Sequence, residues 1–474
     1  MTKLLTPDIC VIGAGSGGLS VAAAAASFGV KVVLIEKGRM GGDCLNYGCV
    51  PSKALIAVAK QAQTMRSADR FGIASIEPKI DFKAVMEHVR GVIAAIAPTD
   101  SVERFTALGV TVIKAEAKFT GKRRLIAGDN EIRARRYVIA TGSSPFIPPI
   151  SGLDGIRHLT NETVFNLNRR PGHLIIVGGG PIGMELAQAF RRLGSQVTVV
   201  DSSTALSKDD PEMVAVVTNR LRMEGVVIRE HTRITSVEQR GKSGVKVFLE
   251  GPQGHEEIDG SHILIAAGRI ANTDGLDLKK ARVKLDGKAI DTSAMLRTTN
   301  RRIYAIGDVA GSLQFTHAAN YHAGLVIRAL LFRLPAKNRA VIPWATFTDP
   351  ELAHVGLTEA QAVKRYRKVR ILRWPYCEND RAQAERKTEG HIKLVASRKG
   401  AILGVTIAGA GASEMIAMWA LALSQELNLR DMASTIPPYP TMSEIGKRAA
   451  ITYFTPKVGK PLVRGIVRFL RLFG

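Results

Sequence analysis

Two cysteines, Cys44 and Cys49, are the residues whose type and spacing point most directly to chemistry. Glycines lie on both sides of the pair, and the two thiols would be close enough to form a disulfide if a helix began between them. A single cysteine is more often a small buried apolar residue, which is our interpretation of Cys10 and Cys377. A metal pair would need further Cys or His ligands at short spacing, and the sequence has none nearby. The pair therefore predicts redox chemistry and no metal site.

A cation close to the pair would make one thiol reactive. The thiolate is the nucleophilic form, and a helix N-terminus or a nearby cation lowers the pKa of a thiol. Lys53 follows Cys49 by four residues, which is about one helical turn, so its charge would lie on the same side of the helix. We therefore expect Lys53 to favour the thiolate of this pair.

Two copies of one pattern must position the cysteines. Each copy has an apolar strand, a Gly-x-Gly-x-x-Gly turn, a helix, and a second strand that ends in an acid. In such a unit the glycines allow a tight turn, close approach of a pyrophosphate and helix–strand packing, and the acid binds a ribose hydroxyl. One copy alone would be weak support, but two complete copies predict two bound dinucleotides. The glycines and acids are Gly13, Gly15, Gly18 and Glu36, then Gly178, Gly180, Gly183 and Asp201.

The second acid indicates which nicotinamide nucleotide is used. A carboxylate at Asp201 binds both adenosine-ribose hydroxyls but repels a 2′-phosphate. The following residues, Ser202 and Ser203, supply no cation that would reverse this preference. We therefore expect NADH, with NADPH as the less favoured alternative.

The length and composition fit a multidomain α/β protein. A chain of 474 residues is too long for one ordinary core, so we expect roughly three domains. Four cysteines are too few for a secreted disulfide scaffold. No signal-peptide pattern precedes the first apolar strand, so we expect a cytoplasmic protein.

The net charge of +24 is large, and it allows nucleic acid, an anionic membrane or an acidic protein as a partner. The basic residues are scattered, with local runs at 122–124, 133–136 and 364–373. No zinc finger, RNA-binding motif or basic zipper accompanies them. We therefore interpret them mainly as a solvated surface and do not expect nucleic-acid binding.

The stretch from Gly41 to Lys53, with its Cys-Leu-Asn-Tyr-Gly-Cys-Val-Pro-Ser-Lys string, resembles the active site of the class I pyridine nucleotide–disulfide oxidoreductases. Further landmarks of that family follow in order over the whole chain, at 140–145, 267–269, 304–308 and 349–358. The resemblance implies an α/β fold with two Rossmann-like domains, for FAD and NAD(P), and a C-terminal α+β dimerisation domain. The expected segments are 1–150 for FAD, 151–272 for NAD(P), 273–340 returning to the FAD side, and 341–474 for dimerisation.

The same resemblance assigns roles to individual residues. Cys49 would be the thiolate next to the flavin, and Cys44 the interchange thiol that meets the substrate. Lys53 would lie by the flavin and pair with Glu185, and Asp308 would hold the FAD ribitol chain. Electrons would pass from NADH through FAD to the disulfide and on to an acceptor. The other positions implied in cofactor binding are Gly42, Thr141, Gly142, Gly268, Arg269, Gly307, Thr316 and Ala318.

The sequence also predicts a structural role for Thr316. The segment from Thr316 to Ala318 is expected to open a helix with Thr316 as the N-cap. The positive end of that helix would stabilise negative charge on the reduced flavin. Ordinary helix capping is an equally good interpretation of Thr316.

The C-terminal motif departs from most relatives. Lipoamide and glutathione enzymes have His-Pro-Thr-x-x-Glu there, which serves the partner subunit's active site, whereas this chain has Tyr439 in place of the histidine and retains Glu444. A tyrosine, with a pKa near 10, is a poorer proton shuttle than histidine at neutral pH. Tyrosine at this place resembles mercuric reductase, yet no cysteine follows Cys377 to relay a metal.

The expected activity is therefore an NADH-dependent, mercuric-reductase-like reduction of a disulfide, a thiol-bound metal or a similar acceptor by a homodimer. Dihydrolipoamide dehydrogenase is the alternative within the family. A redox-inert flavoprotein that binds a membrane or nucleic acid is the alternative of another class, and an NADH dehydrogenase that needs no disulfide is a further one.

Two further features are specific to this chain. Asp43 stands where relatives commonly have threonine. It either makes Cys44 less acidic or draws a cationic acceptor, or it is a turn carboxylate bonded to backbone. The tail after Lys457 predicts a helix that either lies in an anionic membrane interface, as a peripheral contact, or packs on the dimer. Its apolar face is Leu462, Val463, Ile466, Val467, Leu470 and Phe473, opposite Arg464, Arg468 and Arg471.

Overall fold

The computed structural model describes residues 3–241, 244–311, 313–334, 336–458 and 460–473. The fold is mixed α/β, with two units built on parallel sheets followed by an antiparallel unit. The boundaries at 150, 272 and 340 that we expect from the sequence stay predictions.

The first unit is built on a parallel sheet whose central strands are buried along their whole length. Ile9 is paired with both Val32 and Arg136, which places the first glycine turn at the carboxyl edge of this sheet. A strand from the later part of the chain, Ile303–Ala305, completes the sheet beside Arg136–Ile139. In spatial order the strands are Ile303–Ala305, Arg136–Ile139, Ile9–Ile12, Val32–Ile35 and Thr111–Ile113.

Helices and small sheets surround this first sheet. The helices are Ser16–Ser27, Gly42–Asn46, Cys49–Arg66, Phe82–Ile96, Val102–Ala107 and Thr316–Leu331. A four-stranded sheet contains, in spatial order, Lys3–Leu5, Asn130–Ile132, Arg124–Ala127 and Ala117–Gly121. Two-stranded pairs are Ser143–Pro145 with Arg269–Ala271, and Leu285–Asp286 with Ala289–Ile290.

The second unit repeats the same design. Its parallel strands are, in spatial order, Val227–Arg229, Gln196–Val200, His173–Val177 and His262–Ile265. Its helices are Pro181–Arg192 and Pro211–Met223. An antiparallel sheet beside it contains Arg233–Arg240, Gly244–Gly251 and Gly254–Gly260.

The C-terminal unit is an antiparallel sheet covered by helices. Its strands are, in spatial order, Trp344–Thr346, Glu351–Gly356, Ile402–Gly409, His391–Ser397 and Val369–Pro375. Its helices are Glu359–Arg365, Asp380–Ala384, Ala412–Ser424, Leu429–Ser434, Glu444–Thr452, Thr455–Val458 and Pro461–Leu470. Short 3-10 helices elsewhere are Ala68–Phe71, Ala97–Asp100, Leu153–Gly155, Val164–Asn166, Gly307–Ala310 and Tyr376–Glu378.

One apolar core joins the helix that begins at Cys49 to the other two units. Leu55 of this helix packs in the same cluster as Phe190 of the second unit and Leu352 of the third. The buried Arg192 adds ion pairs to Glu224 at 2.7 Å and Asp349 at 3.0 Å. A buried charge is tolerated only when it is paired, so these contacts fix the second unit against the third. The cysteine-bearing helix is thereby held at the junction of all three units.

Within the described parts of the chain, none of the helices has the length and apolar character needed to cross a bilayer.

Candidate functional site

The two glycine turns have the same geometry. Gly13 and Gly178 have φ of 103° and 108°, and a Cβ on either would lie 2.4 Å from a backbone oxygen. A Cβ on Gly18 or Gly183 would lie 1.9 or 2.0 Å from the carbonyl oxygen of the first glycine of its turn. Only glycine therefore lets each helix pack so closely on its strand, which is the role that the sequence pattern predicts.

The middle glycines leave room for a ligand. Gly15 and Gly180 are the N-caps of helices Ser16–Ser27 and Pro181–Arg192, and a Cβ on Gly180 would find nothing within 4 Å. A Cβ on Gly15 would come only within 4.0 Å of the Gly42 Cα. Open space at a helix N-terminus suits a phosphate group, because free N–H groups and the helix dipole favour negative charge. The two turns therefore fit two dinucleotides.

The terminal acids stand next to these turns. Glu36 accepts a hydrogen bond from the Ala14 N–H at 2.6 Å, and Asp201 accepts one from the Gly179 N–H at 2.6 Å. Asp201 also accepts from the Ser203 N–H at 2.7 Å. Both carboxylates are thus fixed in place beside the space where a ribose would lie.

A continuous cleft of about 2780 Å³ runs past both turns and the cysteine pair. Three of the residues predicted for cofactor binding do not line it, because Gly18, Gly183 and Ala318 are packed inside the protein. Ala318 lies outside the lining of the cleft, and its part in cofactor binding stays a prediction. The predicted residues that do line the cleft are Gly13, Gly15, Glu36, Gly42, Cys44, Cys49, Lys53, Thr141, Gly142, Gly178, Gly180, Glu185, Asp201, Gly268, Arg269, Gly307, Asp308 and Thr316.

The two cysteines lie on separate helices, with Cys44 in Gly42–Asn46 and Cys49 as the first residue of Cys49–Arg66. Both are free thiols in this structure. A hydrogen bond from Cys44, together with Thr316 and the charge of Lys53, outweighs partial desolvation and lowers the pKa of Cys49 to about 6. The same bond to Cys49, together with burial, raises the pKa of Cys44. Cys49 is therefore the thiolate of the pair at neutral pH.

Lys53 and Glu185 form the ion pair expected from the sequence. The Lys53 Nζ lies 2.7 Å from the Glu185 Oε2, and Glu185 is only 5% exposed. The other carboxylate oxygen, Oε1, accepts a hydrogen bond from the Phe347 N–H at 2.9 Å. Lys53 also stands 4.3 Å from the centre of the Phe347 ring. Phe347, which sequence reasoning missed, therefore fixes both partners from the third unit.

Thr316 does not cap its helix. The N-cap is Phe315, no side chain caps this end, and Thr316 is the first helical residue of Thr316–Leu331. Its hydroxyl lies 3.4 Å from the Cys49 Sγ instead. The predicted N-cap is therefore wrong, because the hydroxyl is used to hydrogen-bond the thiolate.

Asp43 belongs to a side-chain network. It accepts a hydrogen bond from the Asn161 Nδ2 at 2.9 Å, and its Oδ1 lies 3.3 Å from the Arg269 Nη2. The negative charge of Asp43 acts to raise the pKa of both cysteines. The alternative of a turn carboxylate bonded to backbone is wrong, because its partners are side chains from other elements.

Arg269 connects Asp43 to Asp308. Arg269 Nε donates to the Ser143 Oγ at 2.7 Å and lies 3.9 Å from the Asp308 Oδ2. Burial raises the pKa of Asp308, and the hydrogen bond from Ser143 and the charge of Arg269 oppose that rise. The two carboxylates are thus held in one network through one guanidinium group.

Tyr439 and Glu444 lie away from the cleft of their own chain. Tyr439 is 70% exposed, and its hydroxyl donates to the Asp380 Oδ2 at 2.8 Å, which raises the pKa of the phenol. Glu444 pairs instead with Arg448 at 3.2 Å. The Tyr439–Pro440 peptide bond is cis. Asp380, which no sequence motif marked, is therefore the partner of the tyrosine.

Among the residues that the structure describes, no group of His, Cys, Asp and Glu is arranged to hold a metal ion.

Comparisons with known proteins agree with this geometry. The family model described as pyridine nucleotide-disulphide oxidoreductase matches residues 7–323, and the model of the family's dimerisation domain matches residues 342–450. A mercuric reductase from Streptomyces lividans is 37% identical over 96% of this chain and 97% of its own length. A dihydrolipoyl dehydrogenase from Geobacillus stearothermophilus is 34% identical over 94% of this chain and 95% of its own length.

Solved structures show the same fold. The HOCl-induced flavoprotein disulfide reductase RclA from Escherichia coli has a TM-score of 0.84 and 27% identity, covering 94% of this chain and 99% of that one. Its Cu(II) complex also has a TM-score of 0.84 and 27% identity, covering 93% and 98%. The family implies FAD and a nicotinamide nucleotide as cofactors, and its dimerisation domain supports a homodimer. The chain is thus an enzyme of the class I pyridine nucleotide–disulfide oxidoreductase family.

Proposed function

We propose that this enzyme is an NADH-dependent flavoprotein reductase whose Cys44–Cys49 pair delivers electrons to a disulfide or a thiol-bound metal ion. The observation that carries the proposal is the difference in pKa between the two cysteines. Cys49 has a pKa lowered to about 6, mainly by the hydrogen bond from Cys44, whereas the pKa of Cys44 is raised. One sulfur is thus a stable thiolate, and the other keeps its proton until an acceptor arrives.

The two thiols have different parts in disulfide reduction. Cys44, after losing its proton, attacks one sulfur of the acceptor disulfide, which forms a mixed disulfide and releases the first acceptor thiol. The Cys49 thiolate then attacks the Cys44 sulfur, so that the Cys44–Cys49 disulfide forms and the second acceptor thiol leaves. The acceptor gains two electrons, one proton from Cys44 and one proton from the solvent, and the cysteine pair is oxidised.

Residues around the cleft would hold the cofactors. FAD, when bound, supplies the two-electron chemistry between the nicotinamide and the cysteine pair. Gly15 and Glu36 would bind its pyrophosphate and ribose, and Asp308 its ribitol chain. Lys53, held by Glu185, keeps a positive charge beside Cys49 and so favours the thiolate.

NADH is the nicotinamide nucleotide that the second turn favours. Asp201 is held by two backbone N–H groups and presents a carboxylate where the 2′-phosphate of NADPH would lie. Arg233, a cation of the same cleft, is paired with Glu250 at 2.5 Å. Asp201 would therefore repel the 2′-phosphate of NADPH, and Arg233 would not be free to neutralise that phosphate.

The proposed class of acceptor, a disulfide or a thiol-bound metal ion, is supported by the chemistry of Tyr439 and by the similar proteins. The Tyr439 hydroxyl donates a hydrogen bond to Asp380, which raises the pKa of the phenol, so Tyr439 stays neutral and offers a hydroxyl rather than a base. A mercuric reductase is among the similar proteins, and RclA has been solved with Cu(II). Soft thiolate ligands suit such metal ions, which Cys44 and Cys49 would hold as substrate.

Turnover with a set of acceptors tests this proposal. NADH oxidation by the purified flavoprotein is measured with Hg(II) or Cu(II) in excess thiol, with glutathione disulfide and with lipoamide. We expect turnover with a metal–thiol complex or a disulfide, and its loss in the Cys44→Ala variant. Turnover that is unchanged in Cys44→Ala would refute delivery through the pair.

Dihydrolipoyl dehydrogenase activity is the second candidate. Glu444, which the lipoamide motif also contains, and the 34% identity to such an enzyme favour it. Tyr439 in place of histidine opposes it. Lipoamide turnover that exceeds turnover with every metal–thiol complex would support this second candidate.

A further inference from the structure

The last helix, Pro461–Leu470, leaves its apolar side chains in solvent. Leu462 is 75% exposed, and Phe473, just after the helix, is 74% exposed. Ile466, Val467 and the aromatic pair of the last turn are also half or more exposed. Single exposed apolar residues are ordinary, but a contiguous group on one helix marks an interaction surface.

The side chains of this helix are sorted by chemistry. At 100° per residue, Leu462, Ile466 and Phe469 project to one side, and the other apolar residues of the helix flank them. Arg464 and Arg468 project to the opposite side. We call this sorted segment, residues 460–473, the C-terminal arm.

The charge of the C-terminal arm has one sign. No Asp or Glu follows Glu444, while the same stretch contains Lys447, Arg448, Lys457, Lys460, Arg464, Arg468 and Arg471. One further arginine, Arg370, contacts the chain just before the arm. Arg370 donates to the Tyr453 carbonyl oxygen at 3.1 Å and lies 4.5 Å from the centre of its ring.

We propose that the C-terminal arm binds the surface of an anionic lipid membrane. Its apolar side would enter the boundary between headgroups and acyl chains, and its arginines would contact the anionic headgroups. Ten helical residues are about 15 Å long, which is too short to span a bilayer, so the helix would lie in the plane of the membrane.

Other occupants fit this surface less well. A nucleic acid would pair with the arginines but leave the apolar side in water. A second copy of the arm would cover the apolar side, but it has no acidic side chain to pair with the arginines, so like charges would meet. A membrane with anionic headgroups satisfies both sides of the arm.

Vesicle flotation with the flavin-loaded full chain tests the proposal. Vesicles of phosphatidylcholine with phosphatidylglycerol are compared with vesicles of phosphatidylcholine alone, beside a variant truncated after Pro456. We expect the full chain to float with the anionic vesicles and the truncated variant to stay at the bottom. Flavin absorbance and the melting temperature of the truncated variant show whether its fold is intact.

Matched substitutions separate the effect of charge on vesicle binding from any effect on folding. Replacing Arg464, Arg468 and Arg471 by glutamate removes three favourable charges, each equivalent to about fivefold in partitioning, so binding should fall by about 100-fold or more. The same three positions changed to lysine should keep most of the binding. Equal flotation of the full and truncated chains would overturn the proposal. The proposal would also be overturned if the full chain did not float with the vesicles and truncation after Pro456 converted the dimer to a monomer.

Discussion

At the scale of single residues, the acidity of Cys49 is the property that most directly reports the proposed chemistry. Its thiolate is stabilised by Cys44, and then by Thr316 and Lys53. Alkylation of the reduced enzyme by iodoacetamide should therefore fall as the pH drops through about 6. Thr316→Val removes a hydrogen bond to a charged group, so the pKa of Cys49 should rise by about one unit. An unchanged alkylation profile in this variant would contradict the assigned contact.

Asp43 should act on the same thiols in the opposite direction. Its carboxylate acts to raise the pKa of both Cys44 and Cys49. Asp43→Asn keeps the shape and removes the charge, so both thiols should become more acidic and the preference among acceptors should shift away from cationic ones. Asp43→Glu, which keeps the charge, is the control. Thiol titration curves and acceptor ratios that match those of the unaltered enzyme would refute a role for the charge.

The same scale shows what a sequence can and cannot predict. Helical spacing predicts that Lys53 acts on Cys49, because residues four apart lie on the same side of a helix, and the charge of Lys53 does lower the pKa of Cys49. Thr316, in contrast, contacts Cys49 across 267 residues, and Asp380 contacts Tyr439 across 59. Such contacts depend on how the units pack, so local pattern predicted the wrong role for Thr316 and gave no sign of Asp380.

At the scale of elements, two glycines of the second turn, Gly180 and Gly183, give a pair of contrasting predictions. A Cβ at Gly183 would lie 2.0 Å from a backbone oxygen, whereas one at Gly180 would lie in open space. Gly183→Ala should therefore destabilise the enzyme by about 3 kcal/mol or more, because helix and strand must separate. Gly180→Ala should change stability by about 0.5 kcal/mol or less while it raises the KM for NADH, because the added methyl group takes the space of the phosphate.

Thermal unfolding and NADH kinetics check this pair of variants. A Gly180→Ala variant with an unchanged KM would mean that the nucleotide does not approach this turn. These turns were predictable because strand, glycines, helix and acid follow each other in the chain. Local pattern does not show which side of the helix Thr316–Leu331 faces the cleft, since that depends on what packs behind the helix.

At the scale of the whole molecule, each active site should need both protomers. Tyr439 lies on the surface of its own chain, away from the cleft that holds Cys49. Cys49→Ser and Tyr439→Ala should each lower turnover, the latter by about tenfold if one hydrogen bond to the acceptor is lost. Co-expression of the two variants as hybrid dimers should restore part of the activity, since one site of each hybrid has both residues intact. Hybrids no more active than either parent would argue against a shared site.

The central claim is that NADH reduces the Cys44–Cys49 disulfide, and counting thiols tests it most directly. The oxidised enzyme is mixed with NADH without oxygen, denatured, and titrated with a thiol reagent beside the Cys44→Ala and Cys49→Ser variants. We expect NADH to reveal two additional thiols per chain in the unaltered enzyme and none in either variant. An equal thiol count with and without NADH, in an enzyme that still oxidises NADH, would contradict the claim and favour an NADH dehydrogenase that needs no disulfide.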